Sequence, residues 1–150
     1  MRITKRTNIA MRVLMFCAAN AGRRVTKTEI ASRCNASESH LAQIINRLAH
    51  LGYLRTQRGR QGGIMLGRPA EEITIGEVFR ALEPPVPITE CFADVDNSCP
   101  LIGACRLRIA IADAAEAFYE HLDGMSLEAL VCNNAALLDL LVPAECHGRG

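Results

Sequence analysis

The sequence predicts a mainly α-helical fold that carries one small β-hairpin and continues into a long helix. Three observations lead to this prediction. Apolar residues recur with a helical period in the first 50 residues, and glycines separate two short apolar segments near residue 60. A further helical repeat extends from Leu101 to Leu122. The composition, 49% hydrophobic and 22% charged over 150 residues, is that of a globular protein.

The first three helices are predicted from apolar periodicity and capping signals. Apolar side chains share one face from about Thr7 to Asn20, which predicts the first helix. Thr26 and Glu29 have the spacing of a capping box, in which each side chain accepts a hydrogen bond from the other residue's backbone amide. A second helix is therefore expected to begin there and to end near Cys34. Ser37 is expected to cap a third helix.

The third helix is predicted to have one buried face and one polar face. Its apolar stripe consists of Leu41, Ile44, Ile45 and Leu48. Two helices joined by a short turn, the second with a polar outer face, are typical of a helix-turn-helix that binds DNA. An amphipathic helix pair in any small helical protein has the same pattern, so the next segment decides between the two interpretations.

A glycine-rich hairpin follows the helix pair. Its strands are predicted at Tyr53–Arg58 and Ile64–Leu66, and the glycines between them permit the positive φ values of a tight turn. Arg58 and Arg60 place cations at the tip, where they would enter a minor groove or pair with phosphates. This combination predicts a winged helix-turn-helix with double-stranded DNA as its partner. The predicted DNA contacts are Ser37, Ser39, His40, Gln43 and Arg47 of the third helix, and Arg58, Gly59, Arg60, Gln61, Gly62 and Gly63 of the wing.

The charge of the chain is divided unevenly along its length. Residues 1–68 contain 13 Lys/Arg and two acidic residues, a formal charge of +11, whereas residues 69–150 contain four Lys/Arg and 14 acidic residues, a charge of −10. The net charge of +1 hides this division. A basic half joined to an acidic half indicates that the first half faces a polyanion, although two solvated faces of opposite sign are the alternative.

A fourth helix, a loop and the long helix are predicted after the wing. Thr74 and Glu77 have the spacing of a second capping box, and the helix that they open is expected to end near Leu82. Three prolines follow and exclude a helix, so an extended loop is expected up to Pro100. The predicted organisation is a winged helix-turn-helix domain at 1–83, a cysteine-bearing loop at 84–105, and a dimerisation helix with a C-terminal helix at 101–142.

The long helix is predicted to form the interface of a homodimer. Its apolar residues repeat at heptad-like intervals, and a helix from Leu101 to Leu122 would be roughly 33 Å long. Packing against the first helix of the same chain is the alternative. Ser126 is expected to cap a short last helix. The residues of the predicted seam are Leu107, Ile111, Ala114 and Phe118.

The seven cysteines are expected to serve metal or redox chemistry rather than disulfide bonds. Arg12 interrupts the apolar run after the basic N-terminus, so no signal peptide is expected, and no segment has the roughly 18 apolar residues of a membrane span. We therefore expect a cytoplasmic protein with no membrane partner, and cytoplasmic thiols are rarely paired. Cys17 is expected in the core and Cys34 at a structural position, whereas Cys132 and Cys146 have no partner at a useful spacing.

Three of the cysteines are clustered. Cys91, Cys99 and Cys105 are separated by seven and five residues and lie in the loop and at the predicted beginning of the long helix. The helix dipole and the neighbouring Arg106 and Arg108 would favour thiolates there. Because the spacing matches neither the usual zinc patterns nor those of ferredoxins, a metal or redox site and three unrelated thiols remain alternatives at this point.

Together these segments resemble the Rrf2 family of bacterial transcription regulators over nearly the whole chain. The resemblance rests on Met1-Arg-Ile-Thr-Lys5, Arg58-Gly-Arg-Gln-Gly-Gly63, Leu66-Gly-Arg68, the capping box at Thr74 and the three clustered cysteines. Within the family, the segment Glu90-Cys-Phe92 and the cysteine spacings are most similar to the rhizobial iron regulators. The resemblance implies an iron–sulfur cluster of the [4Fe-4S] type held by Cys91, Cys99 and Cys105, and a homodimer that binds a near-palindromic operator.

The resemblance leaves the fourth ligand of the cluster open. Family members that sense nitric oxide place a carboxylate from the partner subunit's first helix there, at the position that matches Asn8. A neutral amide oxygen is a poorer iron ligand than a carboxylate, so one iron would be weakly held. Such lability suits an iron sensor, and the resemblance thus implies an iron-responsive repressor of iron-uptake genes.

Other functions remain as alternatives. The same architecture would also serve a repressor that responds to nitric oxide or to oxidative stress. A thiol redox enzyme is disfavoured because the sequence contains no Cys-x-x-Cys motif. A purely structural adaptor would not explain the charge of +11 in residues 1–68. We therefore predict a regulator and not an enzyme.

Overall fold

The computed structural model describes residues 3–83, 92 and 98–142. Over these ranges the fold is mainly helical with one two-stranded antiparallel hairpin, which confirms the predicted fold class. No helix in this part of the chain has the length and apolar character needed to cross a membrane. In chain order the elements are α1 (Lys5–Ala19), α2 (Lys27–Cys34), α3 (Glu38–His50), β1 (Leu54–Gln57), β2 (Gly63–Leu66), a short 3-10 helix (Ala70–Glu72), α4 (Ile75–Leu82), α5 (Arg106–Asp123), α6 (Leu127–Val131) and α7 (Ala135–Leu141).

Side-chain caps mark where the first two helices begin. Thr4 accepts a hydrogen bond from the backbone nitrogen of Thr7, so α1 begins before the predicted Thr7. The predicted capping box of α2 is confirmed, because Thr26 Oγ1 accepts from the Glu29 nitrogen at 3.2 Å and Glu29 Oε2 accepts from the Thr26 nitrogen at 2.6 Å. Ser37 is the N-cap of α3, as predicted, although its side chain makes no capping hydrogen bond.

Helix α1 lies at the centre of the hydrophobic core. Val13, Leu14 and Phe16 are fully buried, and the helix contacts α2, α3, β2, α6 and α7. Burial of one such side chain stabilises the fold by about 1.5–3 kcal/mol at most. The buried stripe of α3 is the predicted one, Leu41, Ile44, Ile45 and Leu48. The opposite, polar face of α3 therefore points away from the core.

The wing consists of β1 and β2 and is extended at one edge by a segment before α2. Leu54 pairs with Leu66, and buried Leu54 and Ile64 fix the hairpin to the core. Val25 joins β2 through two backbone hydrogen bonds with Ile64, of 2.9 and 2.8 Å. The first strand is shorter than the predicted Tyr53–Arg58, because the chain turns toward the tip after Gln57.

The C-terminal half of α5 packs against α4. The rings of Phe79 and Phe118 meet edge to face, with their centroids 6.4 Å apart. Arg80 Nη1 lies 2.6 Å from Asp123 Oδ1, and the same guanidinium lies 4.7 Å from the centroid of the Tyr119 ring. The short helices α6 and α7, by contrast, lie along α1. The described part of α5 thus packs mainly on α4, and not on the first helix as the alternative interpretation had it.

The predicted start of the long helix at Leu101 is wrong, since α5 begins at Arg106. Residues 100–104 instead form turns closed by backbone hydrogen bonds of 3.4 and 3.1 Å. Gly103 lies within these turns and has a low helix propensity. Cys105 is the N-cap residue, so the last predicted cysteine ligand stands at the N-terminus of the helix.

The caps of α4 and α6 lie where the sequence predicts them, but α6 is not the last helix as expected, because α7 follows it. Thr74 Oγ1 accepts from the Glu77 nitrogen at 3.2 Å, and Ser126 Oγ accepts from the Ala129 nitrogen at 3.1 Å. The capping box at Thr74 is only half formed, because the Glu77 carboxylate pairs with Arg68 instead of returning a hydrogen bond. This ion pair connects α4 to the segment that leaves the wing.

Candidate nucleic-acid interface and cysteine site

The outer face of α3 is available to a ligand. Ser39, Gln43 and Arg47 are exposed and lie four residues apart, so they form one line along the helix. Ser37 is also exposed, whereas His40 is half-buried. The structure therefore brings the predicted contacts of the third helix onto one surface. An α-helix with such a face has the dimensions that fit the major groove of B-DNA.

Arg47 makes a further contact that the sequence did not reveal. Its Nη2 donates to the carbonyl oxygen of Ala81 at 3.5 Å, at the C-terminal end of α4. Arg6 and Arg80 line the same surface concavity. The last turn of α3 is thus connected to the end of α4, immediately before the segment that carries the first clustered cysteine.

The tip of the wing has a backbone that only glycine fits. Gly59 has a φ of +103°, and the nitrogen of Gly62 donates to the Gly59 carbonyl at 2.8 Å. A Cβ at Gly62 would lie 2.4 Å from the carbonyl oxygen of Gln57, so no side chain can be accommodated there. The turn leaves Arg58 and Arg60 fully on the outside.

Positive charge predominates near this surface, because its two acidic residues are paired with basic side chains. Glu29 pairs with Arg23 at 2.8 Å, and Glu38 pairs with Lys27 at 3.1 Å. The hydrogen bond from Lys27 lowers the pKa of Glu38. The pKa of Glu29 is also lowered, because hydrogen bonds from the Thr26 backbone and from Arg23 outweigh the opposing effect of its partial desolvation. Both acidic residues of the basic half are therefore neutralised locally.

The wing arginines, by contrast, have no acidic partner in the described residues. None of the ion pairs found within residues 3–83, 92 and 98–142 involves Arg55, Arg58 or Arg60. Three exposed guanidinium groups on one hairpin are suited to phosphate oxygens, which they bind with charge-assisted hydrogen bonds.

The structure describes two of the three clustered cysteines. Cys99 and Cys105 are half-buried free thiols, and Cys91 lies outside the described residues. The first turn of α5 contains no acidic residue and carries exposed Arg106 and Arg108. This environment fits thiolate ligands, because both the helix dipole and the cations stabilise negative charge.

One contact relates the segment of Cys91 to α5. Phe92, the next residue in the sequence, has its ring centroid 5.4 Å from the guanidinium carbon of Arg108. Arg108 lies in the first turn that Cys105 caps. Within the described residues no group of three metal-ligating side chains forms, and with Cys91 outside them the predicted set of three is not tested.

The other described cysteines are placed as the sequence predicts. Cys17 and Cys34 are buried in the core, and burial raises the pKa of both thiols. For Cys17 the pKa rises to about 12, with the neighbouring Cys34 as a smaller cause. Cys132 is exposed at the end of α6, and its Sγ lies 3.8 Å from Glu128 Oε1. Cys146 lies outside the described residues.

Asn8 and part of the predicted dimer seam are also on the surface. The side chain of Asn8 is exposed on α1 beside Lys5 and Arg12. Leu107 is 66% exposed and Ile109 is 62% exposed, so the N-terminal half of α5 shows an apolar surface to the outside. Exposed apolar side chains grouped at one end of a helix are suited to a contact with another molecule. Of the predicted seam, Phe118 packs within the chain on Phe79, and Ile111 is half-buried.

Besides the contact of Arg47, sequence reasoning missed two further polar contacts between distant parts of the chain. Arg24 donates to the wing carbonyl of Gln61 at 2.8 Å, and Thr4 donates to the Glu83 carboxylate at 2.8 Å. Neither pair has a signal in the sequence, because periodicity and capping rules concern neighbours along the chain.

Comparisons with known proteins agree with this architecture. The model of the Rrf2 family, described as an iron-dependent transcriptional regulator, matches residues 3–133. The chain is 42% identical over 131 residues to protein aau3 of Rhizobium meliloti, covering 87% of this chain and 85% of that one. It is 40% identical to the HTH-type transcriptional repressor NsrR of Streptomyces coelicolor, covering 87% and 88%. Among solved structures, the global cysteine regulator CymR of Bacillus subtilis superposes with a TM-score of 0.67 at 28% identity, covering 87% and 96%.

Proposed function

The chain belongs to the Rrf2 family of transcriptional regulators, and on this basis we propose that it is a homodimeric DNA-binding repressor that senses through an iron–sulfur cluster. The observation that carries the proposal is the joint surface of α3 and the wing. An exposed polar helix face and a hairpin with three unpaired arginines within the described residues lie on one basic half of the chain. We propose a cytoplasmic location for such a repressor, because it must reach chromosomal DNA.

In the proposed complex each subunit uses one α3 and one wing. Ser37, Ser39, His40, Gln43 and Arg47 face bases or phosphates in the major groove, and residues 58–63 contact the flanking backbone. The exposed apolar half of α5 pairs with the same helix of a second copy. A twofold dimer would place its two α3 helices in successive major grooves, about 34 Å apart, and would therefore require a near-palindromic operator.

The proposed ligands of the cluster are Cys91, Cys99 and Cys105. The half-buried thiols at and before the N-terminus of α5 fit such a role, whereas Cys17 and Cys34 do not, because burial keeps them protonated. When bound, a [4Fe-4S] cluster would link Cys91 and Cys99 to Cys105 at the N-terminus of α5, and this link would depend on iron.

The proposed signal is the availability of iron. With Asn8 at the fourth position, one iron has only a neutral neighbour and is expected to leave readily. When the three cysteines no longer hold iron, Cys105 at the N-terminus of α5 is no longer linked to Cys91 and Cys99, and the dimer releases the promoters of iron-uptake genes. We propose on this basis that the protein has a role like that of the rhizobial iron regulator RirA, which its cysteine spacing resembles.

A second candidate keeps the architecture and changes the signal to nitric oxide or an oxidant. The 40% identity to the repressor NsrR of Streptomyces coelicolor favours keeping this candidate beside the first. Both candidates use the same three cysteines and the same DNA surface, so only the response to added reagents distinguishes them.

The decisive experiment combines absorbance and DNA binding under anaerobic conditions. Protein purified without oxygen should show the broad visible absorbance of an iron–sulfur cluster and should retain duplexes selected from a random-sequence library. An iron chelator should bleach the band and release the DNA. Release by stoichiometric nitric oxide but not by chelator would instead support the second candidate. Colourless protein after anaerobic reconstitution would contradict the proposed iron–sulfur cluster but would not affect the proposed DNA-binding surface.

A further inference from the structure

Arg24 lies outside the helix-turn-helix and the hairpin, yet its side chain reaches the wing. The residue stands in the connection between α1 and α2, and its Nη1 donates a hydrogen bond of 2.8 Å to the carbonyl oxygen of Gln61. Gln61 belongs to the tip between Arg60 and Gly62. The contact thus joins residues that are 37 positions apart in the sequence.

The backbone around Arg24 is fixed to the second strand. Its neighbour Val25 exchanges two hydrogen bonds with Ile64, of 2.9 and 2.8 Å, and is buried. The Cα of Arg24 therefore has a set position relative to β2, and only the side chain is left to determine what the guanidinium touches. The hydrogen bond from the guanidinium thus links the carbonyl of Gln61 to a backbone position that is fixed on β2.

The glycine at position 63 makes room for this side chain. A Cβ built on Gly63 would lie 2.8 Å from the Cβ of Arg24 and 3.1 Å from the carbonyl oxygen of Val25. Any side chain at this position would push Arg24 away from the hairpin. Gly63 is therefore needed to leave space for the side chain of Arg24, in addition to any requirement of the turn.

Within the described residues the guanidinium of Arg24 contacts no other acceptor. Its neighbour Arg23 pairs with Glu29 at 2.8 Å, whereas no ion pair within the described ranges 3–83, 92 and 98–142 includes Arg24. The carbonyl of Gln61, which would otherwise turn a partial negative charge toward incoming phosphates, is covered by a cation. The tip consequently presents Arg58 and Arg60 with no exposed backbone acceptor at Gln61.

We propose that Arg24 is a positioning residue of the wing, which holds the tip through Gln61 and thereby directs Arg58 and Arg60 onto the DNA backbone. The proposal rests on the proposed function, since it assigns a role within the same DNA surface. It differs from a direct phosphate contact by Arg24 itself, and the two roles lead to different dependence on salt.

The test is a double-mutant cycle on a duplex that the wild-type protein selects from a random-sequence library. Arg24→Ala should weaken binding about five- to tenfold, which corresponds to the net contribution of one ordinary, exposed hydrogen bond. The slope of log affinity against log salt should stay nearly unchanged, whereas Arg58→Ala with Arg60→Ala should lower it by about 1.8. Arg24→Lys, which keeps a cationic donor, should recover most of the affinity.

The cycle separates positioning from general destabilisation. If Arg24 acts through the tip, Arg24→Ala should change affinity less than about twofold once Arg58 and Arg60 are already alanine. Thermal unfolding of the single variant should match that of the wild type within about 2 °C, because Arg24 is exposed.

Three outcomes would overturn the proposal, and they are distinguishable. Additive losses together with a slope lowered by about 0.9 would make Arg24 a direct phosphate ligand. Normal binding by Arg24→Ala, beside a clear loss for the Arg58 and Arg60 double variant, would remove the positioning role and leave the DNA-binding surface intact. Normal binding by every variant would contradict the proposed role of the wing itself.

Discussion

Oε1 of Glu83 accepts two hydrogen bonds from Thr4, one of 2.8 Å from the backbone nitrogen and one of 3.2 Å from Oγ1. Thr4 is the N-cap of α1, and Glu83 is the C-cap of α4. The carboxylate therefore anchors the first turn of α1 to the end of α4. Asn8 lies about one turn along α1 from this anchor.

The first prediction concerns this anchor. Glu83→Ala removes the acceptor of both Thr4 donors and should destabilise the fold by about 1 kcal/mol, which lowers the unfolding temperature by several degrees. Glu71→Ala is the matched control, since Glu71 is exposed and takes part in no ion pair within the described residues. Thermal unfolding followed by circular dichroism measures both. Equal unfolding temperatures for the two variants would show that the Thr4–Glu83 contact adds nothing.

A charge reversal at the wing should act on DNA binding alone. Arg58→Glu with Arg60→Glu replaces two exposed cations by anions, so affinity should fall at least a hundredfold at about 0.1 M salt, with a shallower salt dependence. Arg58→Lys with Arg60→Lys keeps the charge and serves as the control, which should bind within a few-fold of the wild type. Filter binding at several salt concentrations gives both quantities. Wild-type affinity of the reversed variant at every salt concentration would refute the winged-helix surface.

Substitutions of cysteine should divide into two classes. Alanine at Cys91, Cys99 or Cys105 should each abolish the visible absorbance, since two thiolates rarely retain a four-iron cluster. Cys132→Ala is the best control, because Cys132 is an exposed thiol in the described part of the chain but lies away from the N-terminus of α5. Anaerobic spectra of the purified variants decide the assignment. A colourless Cys132→Ala protein beside a coloured Cys99→Ala protein would reverse it.

The buried thiol of Cys17 should make stability depend on alkaline pH. Burial raises its pKa from 9.0 to about 12, so the folded state keeps a proton that the unfolded state loses between these values. The stabilisation is complete below pH 9 and is lost as the pH rises toward 12, with a slope of at most about 1.4 kcal/mol per pH unit for one proton. Urea unfolding at about pH 8 and about pH 10 measures it. Cys17→Ala should show a smaller loss between the two conditions, and an equal loss would mean that Cys17 does not contribute.

The helix features that depend on neighbouring residues were predicted correctly from the sequence. The capping box at Thr26 and the cap at Ser126 act within one turn of the chain, and both are found where they were expected. The start of α5 was missed because the apolar residues before Arg106 continue the helical pattern, although turns occupy those positions. In that segment apolar spacing and backbone conformation disagree, and spacing alone gave the wrong boundary.

The candidate site shows the same division between local and distant effects. The outer face of α3 and the exposed cations of the wing follow from helix periodicity and turn chemistry. The bonds from Arg24 to Gln61 and from Thr4 to Glu83 join residues 37 and 79 positions apart, and only the tertiary fold brings them together. Their side chains are common surface types, so no pattern marks them in advance.

The last prediction tests the fourth position of the proposed cluster through Asn8. Asn8→Asp replaces a neutral amide by an anionic oxygen ligand, which binds iron more strongly. The fold should tolerate the change, because Asn8 is exposed and Arg12 lies four residues further along the same helix, where it can pair with the new carboxylate. If α1 of the partner subunit reaches the cluster, the variant should lose its visible absorbance several-fold more slowly after a chelator is added without oxygen. Release of DNA should be delayed by the same factor.

Ser32→Asp adds the same charge at an exposed site on α2 and should lose iron at the wild-type rate. If Asn8→Asp and Ser32→Asp bleach at the same rate, Asn8 does not neighbour the iron, and the lability that favours an iron sensor must have another origin.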